Sequence, residues 1–282
     1  MEPGIPPKGS TLRIIYRDKD EKEGTSLKWM IVTDSSCDLK ELETGSGEIG
    51  FATVPFHMTL EGRDYKDDLD LDADEMVDAM EKANSSHSAC PSPDAWEQQF
   101  LSADRSIAFT ISSQLSGSYN SAMTAKEMVL EKYPDKKIEV IDTLSTGPKL
   151  VMLVQTALKG IQESLSFEKV VAACQDAVSG IRTIFTLSSF HNLVQNGRVS
   201  KMAGFIAGKL NIRVIGIGTD EGKIHLKELV RGEKKTLRNI VLSMASDGYE
   251  GQPMAISHCQ NRQMADELMK MIQEKWQGAV AM

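Results

Sequence analysis

The sequence predicts an α/β protein of two domains: an N-terminal Rossmann-like domain on a parallel sheet and a C-terminal α/β domain on a mixed sheet. Three observations carry this. Short β-branched runs alternate with helical patterns through residues 29–162, the spacing of βαβ units. Beyond residue 165, two strand-like runs meet at a tight turn over 219–222, which a parallel crossover cannot use. The 282 residues amount to about two domains at roughly 150 residues each.

Residues 1–29 read as an extension, flexible or appended. Pro3, Pro6 and Pro7 open it, Ile14, Ile15 and Tyr16 offer one short strand, and a charge run, RDKDEKEG, fills 17–24. Order is expected from Met30, with an N-terminal domain over 30–165 and a C-terminal domain over 166–282. In the first domain the apolar runs 29–33, 51–60, 107–111 and 138–141 read as strands. Helical spacing covers 73–83, 93–101, 118–132 and 148–162. The second domain carries helices at 167–178, 190–196, 200–209, 236–246 and 263–275. Its strands are expected at 182–187, 212–218, 223–231 and 254–258.

Composition narrows the function classes. With 41% hydrophobic and 26% charged residues the chain can bury a core, which excludes wholesale disorder. Its 32 Lys+Arg against 40 Asp+Glu leave a net charge of −8, which speaks against nucleic acid or anionic lipid as partner. No run of ~18 apolar residues offers a membrane span, and the opening MEPGIPPKGS has no apolar signal core. Cys37, Cys90, Cys174 and Cys259 form no CxxC pair, so neither a zinc knuckle nor a disulfide framework is expected. A reduced, cytoplasmic protein is the expectation.

Several motifs resolve to plain readings. GSGEIG at 45–50 matches a dinucleotide fingerprint in letters, but a strand follows it where a helix is needed, so it reads as a loop. Neither GxxxxGK[ST] nor GxSxG occurs. The acidic run 64–78 fails as a calcium loop. Counted from Asp68, Ala73 stands where Gly is needed and Ala79 where Glu is needed. It reads as a solvated turn, then a helix capped by Asp72. His57, His87, His191, His225 and His258 hold no metal spacing; His258 ends an expected strand, where it could face a ligand.

The hydroxyl-rich strand ends point to binding. Asp34-Ser35-Ser36 follows the first strand, as an N-cap for a next helix and as a carboxylate and hydroxyls, Ser35 among them, lining a cleft. SSQLSGSY, 112–119, sets four serines and a glycine between a strand and a helix. Capping needs one serine; Ser112, Ser113 and their neighbours can hold an anionic oxygen with the helix-start N–H groups. SHSACPSP, 86–93, is a second hydroxyl-rich loop entering a helix, and NGRVS, 196–200, places Arg198 in a loop suited to carboxylate or phosphate.

Taken in order, these motifs resemble the DegV family of bacterial fatty-acid-binding proteins. The resemblance runs through VTDSSCDL (32–39), the Val54-Pro55 strand and G-x-x-Y-x-D-x-x-D (62–70). It continues through SACPSP (88–93), ISSQLSGSYNSA (111–122), V-I-D-T with a downstream glycine (140–147), NGRVS, LNIRVI (210–215) and VRGEKK (230–235). It implies a cytoplasmic carrier, not an enzyme, that holds one long-chain fatty acid such as palmitate, stearate or oleate in an interdomain tunnel. By motif, Ser88 and Ser113 hold the carboxylate with Ser112 beside them, and Arg198 serves the head group or partner docking. A separate fatty acid kinase makes the acyl phosphate, and no cofactor is implied. The family's usual Thr-Ser-Gln-Pro-Ser reads Ser88-Ala89-Cys90-Pro91-Ser92 here. Its C-terminal histidine in a Gly-Pro-Gly context has no counterpart before Met282, which implies a shortened C-terminus or an altered function. Fifteen methionines suit a flexible alkyl chain as well as a core. The alternative is a serine acyl-ester hydrolase, which needs a base beside Ser113.

Overall fold

A computed structural model describes residues 27–199 and 212–279. Its first sheet is parallel throughout, in the order β2 (Ile49–Val54), β1 (Leu27–Asp34), β6 (Ala103–Thr110), β7 (Lys137–Asp142). Alternate residues of β1 enter different cores. Trp29 and Ile31 join one with α4 (Pro148–Gln162) and α5 (Phe167–Gly180). Met30 and Val32 join the other with α2 (Pro93–Leu101) and α3 (Ser118–Lys132). Helices on both faces explain why β1 is an almost unbroken apolar run.

β1 opens at Leu27, earlier than the expected Met30, because Leu27 pairs with Ala103. The expected boundary at 165 falls between α4 and α5, which pack together on the N-terminal core: Val170 and Cys174 join it, and Phe167 stacks on Trp29 with ring centroids 5.7 Å apart. No helix follows Asp34-Ser35-Ser36. The chain turns there and reaches β2 without one. The carboxylate bonds its own turn instead, accepting from the Ser36 N–H at 3.2 Å.

A small antiparallel sheet, β4 (Arg63–Lys66), β3 (His57–Leu60), β5 (Ser86–Ala89), carries α1 (Ala73–Lys82) on a core of Leu60, Tyr65 and Ala83. Asp72 caps α1 as expected, accepting from the Asp74 and Glu75 N–H groups at 3.1 and 3.0 Å. β5, however, is a strand where a loop is expected, and β4 overlaps the start of the acidic run. Ser, His, Asp and Lys carry little strand signal; pairing to β3 makes these strands.

The third sheet is β10 (Ile224–Arg231), β9 (Ile212–Gly218), β8 (Ile184–Leu187), with α6 (His191–Gln195) following β8. One face packs Ile184, Ile215 and Val230 against Ile240 of α7 (Glu233–Ser246) and Leu268 of α8 (Arg262–Lys275). A mixed sheet is expected here; the described strands are antiparallel, and 254–258 contributes only a bridge at Met254. The helix expected at 200–209 and the strand at 14–16 lie outside the described residues. No described helix is long and apolar enough to cross a membrane.

Candidate functional site

From β1 the chain runs outward to β2, then returns past β1 to add β6 on the other side. That reversal opens a crevice at the carboxyl ends of β1 and β6, where parallel sheets bind ligands. Asp34 occupies it, fully buried. Its Oδ1 accepts from the Ser36 N–H and hydroxyl at 3.2 and 2.5 Å. Its Oδ2 accepts from the Ile111 N–H at 2.8 Å and the Ser118 hydroxyl at 2.6 Å. Burial pushes this carboxyl above its ordinary range, and the Ser118 and Ser36 donors pull it back in part. Asp34 thus fixes the end of β1, the end of β6 and the start of α3. The sequence places Asp34 in the cleft but does not show this tethering role; its one signal is a carboxylate closing an apolar strand.

The serines divide into tied and untied. Ser35 is buried, with its Oγ accepting from the Phe56 N–H at 2.9 Å and its N–H donating to Val54 O at 3.0 Å. It joins β1 to the segment leading into β3. Ser112 is fully buried; its hydroxyl donates to Gly222 O at 2.7 Å and accepts from the Gln114 N–H at 3.2 Å. That bond links the serine segment to the β9–β10 turn. Gly222 has φ +82°, and a Cβ there would collide with the Ser112 hydroxyl. Beside it, the Ser145 and Thr183 hydroxyls pair at 2.8 Å.

Ser113 is half-buried. Its N–H donates to Asp142, at 3.2 Å to Oδ1, while its hydroxyl has no hydrogen-bond partner among the described residues. Ser88 is exposed on β5, and its hydroxyl likewise has none. Their segments meet. The Ser121 hydroxyl donates to Pro91 O at 2.5 Å. A Cβ built on Gly117 would lie 3.4 Å from the Cys90 Sγ, so the thiol packs close beside this glycine. Arg198 joins the same place: its Nε donates to Leu115 O at 3.1 Å and a terminal nitrogen to Asn196 O at 2.5 Å. Just before it, Asn196 Nδ2 donates to the Ser86 hydroxyl at 3.5 Å and Gln195 Nε2 to Asn84 O at 2.8 Å, docking the small sheet on α6.

The third sheet has an apolar second face. Phe185, Leu187, Val214, Gly216 and Leu226 point away from α7 and α8, opposite Ile184, Ile215 and Val230. Gly216 leaves room for the Phe185 ring, which a Cβ would strike. Phe185, Leu187 and Leu226 are only half-buried. A cavity of about 290 Å³ lies elsewhere between the two halves, lined by Lys149, Arg182, Thr183 and Asp220 among others, and touches neither Ser88 nor Ser113. Among the described residues no three His, Cys, Asp or Glu cluster to hold a metal. His258 accepts the Asn261 N–H at 3.4 Å, in an exposed turn before α8.

A family model described as "Uncharacterised protein, DegV family" matches residues 28–281. A DegV domain-containing protein of Streptococcus pyogenes is 38% identical over 255 residues, covering 90% of this chain and 91% of its own. Two solved structures are similar throughout. One is the Streptococcus pneumoniae Fatty Acid Kinase (Fak) B3 protein loaded with linoleic acid, at TM-score 0.87 and 36% identity, covering 90% of this chain and 91% of that one. The other is a Eubacterium eligens DegV family protein loaded with heptadecanoic acid, at TM-score 0.86 and 35% identity with the same coverage.

Proposed function

This chain belongs to the DegV family, and on that premise we propose that it carries one long-chain fatty acid and presents its carboxylate to a separate kinase that makes the acyl phosphate. One observation carries the reading: two segments held together by the Ser121–Pro91 bond each bear a serine hydroxyl with no hydrogen-bond partner among the described residues. Ser88 and Ser113 donate to the carboxylate. Such neutral donors serve the ionised and protonated acid alike, and they offset the several kcal/mol that burying a carboxylate costs. Arg198, held over the same segment by Leu115 O, keeps guanidinium donors for the head group or for the docking kinase.

The acyl tail lies on the half-buried side chains of Phe185, Leu187 and Leu226. At ~0.8 kcal/mol per methylene, about fifteen buried methylenes contribute on the order of 10 kcal/mol before ordering costs. Phosphoryl transfer is the partner's work, since this sequence carries no phosphate-cradling P-loop.

Native mass spectrometry of the purified chain, before and after oleate is added, tests the reading. One acyl chain per protein is expected, with affinity at least tenfold weaker in the Ser88→Ala/Ser113→Ala double variant. Neither endogenous lipid nor oleate uptake would reject it. The hydrolase alternative makes its own demand: acyl-ester cleavage that vanishes with Ser113→Ala. Cleavage of that kind would displace the carrier reading.

A further inference from the structure

The cavity between the halves holds a buried cation that makes no direct ion pair among the described residues. Lys149 stands after Gly147 and Pro148 in the first turn of α4. It is only 7% exposed, lines the cavity, and its ammonium has no hydrogen bond or ion pair among the described residues. Burying an unpaired ammonium costs several kcal/mol, and a lysine stem is long enough to reach water from most positions. A site that keeps the head inside calls for a ligand.

The lining supplies the rest of an anion site. Arg182 stands at the rim, paired to Asp220 at 2.5 Å with both side chains mostly exposed. Ser179, Thr183 and Thr219 add hydroxyls, and Val178, Ile181 and Leu144 form an apolar wall. The charged groups facing Lys149 are Arg182 from the segment before β8, Asp220 from the β9–β10 turn and Asp142 from the end of β7. Both carboxylates are engaged: Asp220 by Arg182, Asp142 by the Ser113 and Leu144 N–H groups. Burial and the Arg182 charge press the Lys149 ammonium down to about 8, so it stays mostly protonated at neutral pH. About 290 Å³ is room for roughly ten waters, enough for a small polar solute.

We infer that this cavity binds the oxyanion of a small water-soluble molecule, a phosphate or carboxylate group, through the Lys149 ammonium, the Arg182 guanidinium and the Thr183 and Thr219 hydroxyls. It shares none of Ser88, Ser113 or Arg198, so it stands or falls apart from lipid binding. Both ends of the site are tied to both halves of the fold, through the Ser145–Thr183 bond and the β9–β10 turn. An anion there bears directly on how the halves are held.

Calorimetric titration of the full chain with inorganic phosphate and with citrate, at fixed ionic strength, tests this and separates the two oxyanion classes. Saturable one-to-one binding of at least one probe is expected. It should weaken at least tenfold in Lys149→Met and in Arg182→Gln, and stay within twofold in Lys149→Arg and in Ser113→Ala. Circular dichroism checks that each variant folds; should Lys149→Met unfold, Arg182→Gln at the exposed rim carries the test. No saturable binding of either probe overturns the inference. So does binding that survives Lys149→Met and Arg182→Gln, or binding that disappears with Ser113→Ala instead.

Discussion

Asp34 and Lys149 are two buried charges near the carboxyl edge of one parallel sheet, and the protein treats them in opposite ways. Asp34 collects hydrogen bonds from the Ser36 N–H and hydroxyl, the Ile111 N–H and the Ser118 hydroxyl. Lys149 collects none among the described residues. Burial moves both toward neutrality, the carboxyl up and the ammonium down. The difference is in what surrounds them. A charge met by oriented donors is scaffold, whereas a charge left facing a cavity is available for a ligand.

The largest effect should come from breaking the scaffold. Asp34→Ala leaves the Ile111 N–H and the Ser118 hydroxyl without an acceptor in a dry site, at about 4 kcal/mol of stability. Urea unfolding should show it, with oleate binding lost as well because the start of α3 loses its anchor. A loss below about 1 kcal/mol would mean that solvent reaches the crevice and that Asp34 is not the tie described.

Lys149→Met should act in the other direction. Its ammonium falls from an ordinary 10.5 to about 8, a cost of up to about 3 kcal/mol that methionine avoids while keeping the stem's packing. The sign follows from proton counts. Below pH 8 folded and unfolded chains both hold the proton, so the penalty is complete. Between 8 and 10.5 the unfolded chain still holds a proton that the folded chain has released, so stability climbs with pH. Denaturation midpoints measured from pH 7 to 10.5 should rise in the parent and stay flatter in the variant. A variant less stable at pH 7 would show Lys149 to be held by a contact after all.

Gly222→Ala should cost about 2 kcal/mol, and Gly232→Ala about 1. Both glycines sit at positive φ, +82° and +88°, so both lose the backbone freedom only glycine has. Gly222 alone would also drive a Cβ into the Ser112 hydroxyl and break its bond to Gly222 O. Equal costs in thermal unfolding would mean that the turn yields without disturbing the serine segment.

What the sequence made legible follows from which interactions are local. α2, α3 and α4 lie over the predicted 93–101, 118–132 and 148–162 because 3.6-residue periodicity and caps such as Ser92 are written in neighbouring residues. β4 and β5 were not legible, since their pairing to β3 comes from residues far along the chain. The serine segments could be found by composition, but which serines are tied could not. Ser112 differs from Ser113 through a glycine carbonyl 110 residues away. Lys149 gave no sequence signal because a lysine in the first turn of a helix usually points to water.

That distinction between neighbours yields the finest test of the comparison. Ser112→Ala removes a buried hydroxyl that both donates and accepts, so stability should fall by about 1.5 kcal/mol, and the Gly222 carbonyl loses its donor. Ser113→Ala removes a hydroxyl with no partner among the described residues, so stability should change by less than about 0.5 kcal/mol. Oleate affinity should rank them the other way, with Ser113→Ala the more damaging at equal folded fraction. Adjacent serines that lose stability and affinity in parallel would show that the segment acts as one unit. Opposite rankings would separate the residue that builds the loop from the residue the loop was built to present.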